Sequence, residues 1–290
     1  MDNYLQKAYC MHQTVRIYAA ITSNMVRHAG EIFNMYPSSL DAFGRCLTIT
    51  SIMSCTYKND DFINVIVKGE GPIGKITVEG HDGRVRGYVE NPGVYFQNNN
   101  GTINIEMAVG DGEIEVIKDL HLRQPFSSSC ELVKGDIATD FTYYFAKSEQ
   151  IPSSVGLGVL FDKEAKVRAA GGFLIQVMPG CSDEDITILE ERLKNLRPVT
   201  KMIEDGYNAE DIINEITNGD YEMLETKELF YECNCNKERF RRGLKTLGKE
   251  QLLDIKKDDN CEITCNFCNK KYTFSKSDID DMIKELENEQ

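Results

Sequence analysis

Phe62-Ile63-Asn64-Val65-Ile66-Val67 is the stretch whose reading decides the fold class. A period of two places alternate side chains on opposite faces of an extended chain, which is how a strand lays one face on a core. Working outward, the same pattern recurs in Lys75-Ile76-Thr77-Val78 and Arg84-Val85-Arg86-Gly87-Tyr88-Val89. It returns in Thr102-Ile103-Asn104-Ile105-Glu106-Met107 and Glu113-Ile114-Glu115-Val116. His81-Asp82-Gly83 and Gly110-Asp111-Gly112 supply turns between them. From Asp60 to about Val116 this is the spacing of an antiparallel meander. Gly69-Glu70-Gly71-Pro72-Ile73-Gly74 has the spaced glycines of a dinucleotide loop, but it leads into a strand and not a helix, so it reads as a β-turn.

On the N-terminal side, Val15–Ile21 reads as a strand. Ser23 then caps a helix running to Ile32 or Phe33, and a second helix starts near Ser39 with Leu40, Phe43, Leu47 and Met53 on one face. On the C-terminal side a helix is expected over Ile137–Ala146, and its aromatic run Phe141, Tyr143, Tyr144 and Phe145 reads as core. Strands are expected over Val155–Phe161 and Gly172–Val177, with Gly171-Gly172 marking a bulge or a close backbone approach. The fold class is therefore α+β, with a mainly antiparallel sheet and packed helices over residues 1–180.

Past Pro179 the β signal disappears. Ser182-Asp183-Glu184-Asp185 starts a helix bearing Ile186, Leu189 and Leu193, and Asn208-Ala209-Glu210-Asp211 starts another bearing Ile212, Ile213 and Ile216. Helices this short hold mainly when docked. Residues 181–230 are thus expected to form a helical linker, and 231–290 a small terminal module.

Of the 290 residues, 41% are hydrophobic and 28% charged, and 47 acids against 33 bases give a formal charge of −14. That balance opposes phosphate neutralisation, so nucleic acid is not the expected main partner. No segment approaches the roughly 18 apolar residues of a membrane span, and the N-terminus leads into no apolar signal-like region. A cytoplasmic protein with no membrane partner is expected. His12, His28, His81 and His121 have no metal-ligand spacing.

Ten cysteines in such a chain require an explanation. Cys10, Cys46, Cys55, Cys130 and Cys181 are scattered and read as small buried hydrophobes. The rest cluster. Cys233-Asn234-Cys235 is followed, after residues 236–264, by Cys265-Asn266-Phe267-Cys268. Two chelating pairs brought together by an intervening fold make a closed four-sulfur site suited to one Zn2+, with no open position for a substrate. Cys261, four residues before Cys265, is an alternative ligand, although Cys265 has the tighter chelate partner. Between the pairs, Lys237–Leu247 reads as a helix presenting Phe240, Leu244 and Leu247. Asn269–Phe274 reads as the strand leaving a zinc knuckle, and Ser277 as the cap of a last helix with Ile279, Ile283 and Leu286.

The Cys-x-Cys and Cys-x-x-Cys pairs at the end of a chain of this size resemble those of the 33-kDa redox-regulated heat-shock chaperone (33 kDa chaperonin) family. The likeness extends from about Val15 to Phe274. It includes Cys-Asn-Cys-Asn-Lys-Glu-Arg-Phe within 230–248, Tyr-Phe-Ala-Lys-Ser-Glu-Gln-Ile-Pro-Ser at 144–153, Ala-Gly-Gly-Phe-Leu-Ile-Gln-Val-Met-Pro at 170–179, and the glycine stretch at 69–74. Cys261 is a departure that leaves the ligand set alone but complicates disulfide pairing.

The resemblance implies an ATP-independent holdase, not an enzyme, that is inactive while reduced and zinc-bound through Cys233, Cys235, Cys265 and Cys268. It implies oxidation to Cys233–Cys235 and Cys265–Cys268 disulfides with zinc release, and dimerisation of the oxidised form. The partners are then unfolding client proteins. The linker faces Ile186, Leu189, Leu193, Ile212, Ile213 and Ile216 are the expected client-binding surface, made available when loss of zinc unfolds the linker. Two readings compete. A zinc-ribbon nucleic-acid binder would use Arg239, Arg241 and Arg242, against the acids Glu232, Glu238, Glu250, Asp254, Asp258, Asp259 and Glu262 in the same module. A thiol–disulfide oxidoreductase would use Cys265 and Cys268, without the βαβ setting that such enzymes have.

Overall fold

The computed structural model describes residues 3–57, 61–258 and 260–288. Asp60, where the two-residue period begins, and Asp259, one of the acids of the terminal module, lie outside the described residues. The chain divides into two compact units, Met1–Glu232 and Cys233–Gln290.

The first unit opens with strands β1 (Tyr4–Cys10) and β2 (Val15–Ile21) and helices α1 (Ser23–Phe33) and α2 (Pro37–Ser54). Strands β3 (Phe62–Gly69), β4 (Lys75–His81) and β5 (Arg84–Val89) follow, then the short helix α3 (Glu106–Val109) and strands β6 (Gly112–Asp119) and β7 (Phe126–Glu131). Helix α4 (Ala138–Tyr144) runs into a π-helical turn at Phe145–Glu149, before β8 (Ser153–Phe161) and β9 (Val167–Val177). Helices α5 (Asp183–Asn195), α6 (Val199–Glu204) and α7 (Ala209–Thr217) lead to β10 (Glu222–Glu228) and β11 (Phe230–Tyr231).

These strands form two sheets, in the orders β10-β1-β2-β9-β8 and β11-β5-β4-β3-β6-β7. Helix α2 lies between them, touching β3, β4 and β5 of one and β2, β8 and β9 of the other. The alternation at Phe62–Val67 turns Ile63, Val65 and Val67 inward, and Val65 sits opposite both Val78 and Val116. Helix α2 is buried on every side, not on the single face expected from Leu40, Phe43 and Leu47. Two of its small hydroxyls, Thr48 and Ser51, help by bonding back into the helix. Thr48 Oγ1 donates to Gly44 O at 2.8 Å and Ser51 Oγ to Leu47 O at 2.8 Å, so burial leaves neither unpaired. Gly44 permits the close approach: a Cβ there would lie 2.7 Å from Val26 Cγ1 and 2.8 Å from Val159 Cγ2. Gly171 is likewise a close approach, with Ala20 O 2.5 Å from where its Cβ would stand.

Several elements depart from the sequence expectation. Thr102–Met107 is not a strand; Gln97 and Ile103 form an isolated bridge, and Asn104 Oδ1 accepts from Met107 N at 2.9 Å beside the short helix α3. An asparagine side chain that satisfies the backbone locally competes with a ladder. The first strand, the serine-rich β7 and the charged β10 carry little apolar alternation and were not anticipated. Residues 181–230 carry the expected short helices, with the strand β10 in addition. They lie within the first compact unit, with α6 packed on β8 and β9, α7 packed on β1 and β2, and β10 laddered antiparallel to β1.

The second unit contains α8 (Lys237–Lys245), α9 (Lys249–Ile255), β12 (Asn260–Thr264), β13 (Lys271–Ser275) and α10 (Lys276–Asn288). Its core is Leu244, Leu252, Phe274, Ile279, Met282 and Ile283. Ser275, not Ser277, caps α10: its Oγ accepts from Asp278 N at 3.2 Å, while Asp278 Oδ2 accepts from Ser275 N at 2.9 Å.

Candidate metal centre

Two local structures present the cysteines. Cys233 and Cys235 precede α8, whose cap Asn236 accepts from Arg239 N at 2.8 Å and so ends the extended run at the second sulfur. Cys265 and Cys268 lie in the tight turn joining β12 to β13. Cys265 N donates to Lys270 O at 2.9 Å, Asn269 N donates to Cys265 O at 2.9 Å, and Asn269 takes φ +60° to close the turn. Asparagine tolerates that left-handed conformation better than most side chains.

The four sulfurs converge. Cys233 Sγ is 3.7 Å from Cys265 Sγ, Cys235 Sγ is 3.3 Å from Cys268 Sγ, and all four lie within 4.8 Å of one another. That spread brackets the edge of about 3.8 Å in a tetrahedron with metal–sulfur bonds of about 2.3 Å. Cys261 is not in the group; it packs against the module core. The donor set therefore fits a thiophilic divalent cation with four protein ligands.

Electrostatics point the same way. Burial pushes Cys265 and Cys268 above the ordinary thiol range. At Cys235 burial also pushes upward, but hydrogen bonds from Tyr272 and the neighbouring cysteines outweigh it and bring the group to about 7. Four thiols this close do not all ionise unaided, and a bound divalent cation is what makes four thiolates compatible. Tyr272 was missed as a site residue. Its position four residues after Cys268, on the strand leaving the knuckle, is the signal that could have found it.

The six linker positions lie on docked or half-covered faces. Ile212, Ile213 and Ile216 are wholly buried and Leu189 is 4% exposed, all in one apolar cluster with Ala8, Ile17, Ala19 and Ile175 of the sheet. Ile186 and Leu193 are half-buried. With Leu189, Pro152, Ile175 and Val177 they line a cavity of about 460 Å³ beneath α5. Of the aromatic run at 141–145, Phe141, Tyr144 and Phe145 are core. Among the described residues no helix is long and apolar enough to cross a membrane.

Comparison with known proteins agrees with this architecture. The family model described as Hsp33 protein matches residues 3–275. The chain is 41% identical to a 33 kDa chaperonin of Staphylococcus haemolyticus, covering 98% of each chain. It is 42% identical to a 33 kDa chaperonin of Bacillus cytotoxicus, covering 99% of this chain and 100% of that one. The crystal structure of the 33 kDa chaperonin (heat shock protein 33 homolog) of Thermotoga maritima superposes with a TM-score of 0.93 at 30% identity, over 99% of this chain and 100% of that one. With a match over nearly its whole length in sequence and in fold, the chain belongs to the Hsp33 family of chaperones.

Proposed function

We propose that this chain is an ATP-independent holdase of the bacterial cytoplasm, switched on by oxidation of a zinc site formed by Cys233, Cys235, Cys265 and Cys268. The observation that carries the reading is the convergence of these four sulfurs, within 4.8 Å of one another, from two segments far apart in sequence. They lie in a module whose buried core is six side chains. Bound zinc would hold four thiolates together and contribute on the order of 10–16 kcal/mol of apparent binding free energy to the module's folding.

A thiolate is a ready nucleophile toward peroxide. Cys233 with Cys235, and Cys265 with Cys268, each give up two electrons to one hydrogen peroxide. An S–S bond forms, the O–O bond breaks, and the oxygens leave as water once protonated. Sulfurs joined to each other no longer carry the charge that holds a cation, so the small core is left to fold alone.

The consequence passes along the chain. Cys233 follows Glu232 directly, and β11, two residues long, is paired parallel to β5 through Phe230 and Tyr231. Tyr231 Oη donates to Gly87 O at 2.9 Å, and Glu232 pairs with Arg84. Behind this short anchorage stand β10 at the sheet edge and then α7. Their release uncovers Ile212, Ile213 and Ile216, and release of α5 uncovers Ile186, Leu189 and Leu193, giving an apolar surface for unfolding clients. The same uncovered surface would support pairing of two oxidised chains.

The test is to titrate the reduced, zinc-loaded protein with hydrogen peroxide, following zinc with a chromogenic chelator and thiols by alkylation and mass spectrometry. One zinc per chain is expected, leaving as Cys233, Cys235, Cys265 and Cys268 are oxidised. Complete oxidation of the four with zinc retained would overturn the reading.

A further inference from the structure

Among the described residues, three of the four sulfurs have a hydrogen-bond donor other than a cysteine beside them, and one of those donors differs in kind. Cys265 and Cys268 accept from the backbone N–H groups of Phe267 and Lys270, which the turn itself fixes. The donor at Cys235 is a side chain: Tyr272 Oη lies 3.2 Å from Cys235 Sγ and 3.0 Å from Cys235 O. Tyr272 stands on β13 opposite Ile263 of β12, and its ring packs on Phe240 of α8 with centroids 5.0 Å apart. It therefore ties the Cys-x-Cys segment to the hairpin that carries the other two sulfurs.

We propose that Tyr272 is a positioning residue of the metal centre, holding Cys235 as a firm, weakly nucleophilic ligand and so setting both metal affinity and the ease of oxidation at that sulfur. This inference rests on the zinc reading above. The hydroxyl has one proton and two acceptors. The carbonyl fixes its direction, and the sulfur draws a share of it in proportion to the negative charge that a bound thiolate carries. A hydrogen-bonded thiolate donates less readily to an oxidant and is held in one orientation toward the cation. Partners of this kind are worth about 10–100-fold in metal affinity at other sites. The sulfur most dependent on a side chain is also the one whose reactivity a single substitution can change.

The experiment uses the full chain, wild type, Tyr272→Phe and Phe240→Leu, each loaded with Co2+ and separately with Zn2+. Tyr272→Phe keeps the ring and removes the hydroxyl; Phe240→Leu removes the ring contact and keeps the hydroxyl. In Tyr272→Phe the thiolate-to-cobalt charge-transfer band is expected at lower energy, with tetrahedral d–d bands retained. Zinc affinity by chelator competition should fall about tenfold, and Cys235 should be alkylated faster in the zinc-loaded protein. Phe240→Leu should leave the charge-transfer band in place. An unmoved band and unchanged affinity in Tyr272→Phe would overturn the inference alone, as would an equal band shift in both variants. Absence of tetrahedral cobalt bands in the wild type would overturn the metal reading and this inference with it.

Discussion

Leu5 of β1 lies opposite Lys227 of β10 in an antiparallel ladder. A strand placed after α7 therefore closes the edge of the sheet that begins the chain. Residues 181–230 are held by main-chain pairing as well as by apolar burial, so under the proposed switch the inactive state keeps this segment docked and activation releases it.

Charging the docked face should bypass the switch. Ile213 and Ile216 are wholly buried against the sheet, and a carboxylate at either position has no partner there, at a cost of more than about 3 kcal/mol. Ile213→Asp or Ile216→Asp should suppress client aggregation while still reduced and zinc-loaded. A variant that stays inert until oxidised would place the client surface elsewhere.

Helix α5 should open while the core helix α2 stays closed. It already covers a cavity of about 460 Å³, and Leu189 is its one fully buried side chain. Leu189→Ala should cost about 2–5 kcal/mol. Hydrogen exchange should show α5 amides losing protection while those of α2 keep theirs. Equal loss across both helices would mean that the unit opens as one piece.

The ligand set makes an exclusive claim about Cys261. Cys261→Ser should bind one zinc as the wild type does, because that thiol packs in the module core. Cys265→Ser should lose tight binding. Chelation of the wild type should likewise make residues 233–290 sensitive to trypsin while β1–β9 stay resistant. Zinc content measured after dialysis against a weak chelator separates the two serine variants.

Thiol reactivity at Cys10, Cys46, Cys55 and Cys130 should be low at neutral pH. Burial holds Cys10 up at about 12 and Cys55 and Cys130 at about 11, and pushes Cys46 up as well. Only the thiolate reacts, so a raised value keeps these groups protonated and inert at pH 8, and reactivity should rise as the pH climbs toward 11. Iodoacetamide mapping at pH 8 should leave all four unmodified in the native protein and label them in urea.

The candidate site was legible in the sequence because metal chemistry is carried by residue type and spacing: Cys233, Cys235, Cys265 and Cys268 could be named before any fold was known. Strands β3, β4 and β6 were legible because short β-branched runs around Val65, Val78 and Val116 are bounded by turn residues such as His81-Asp82-Gly83 and Gly110-Asp111-Gly112. Strand β10 was not. Glu222, Glu225, Lys227 and Glu228 describe a solvated segment, and they form a strand only because β1 offers an open edge, where charge is tolerated and guards against further pairing. Tyr272 was illegible for a related reason, since its role depends on Cys235, which is distant in sequence and reaches it through the fold of the module.

The most direct test of the switch is light scattering from a heat-unfolding client, with the chain added reduced and zinc-loaded or oxidised and zinc-free. Suppression by the oxidised form alone, reversed by thiol reductant with zinc, is the predicted result. Equal suppression by both forms, or by neither, would contradict it.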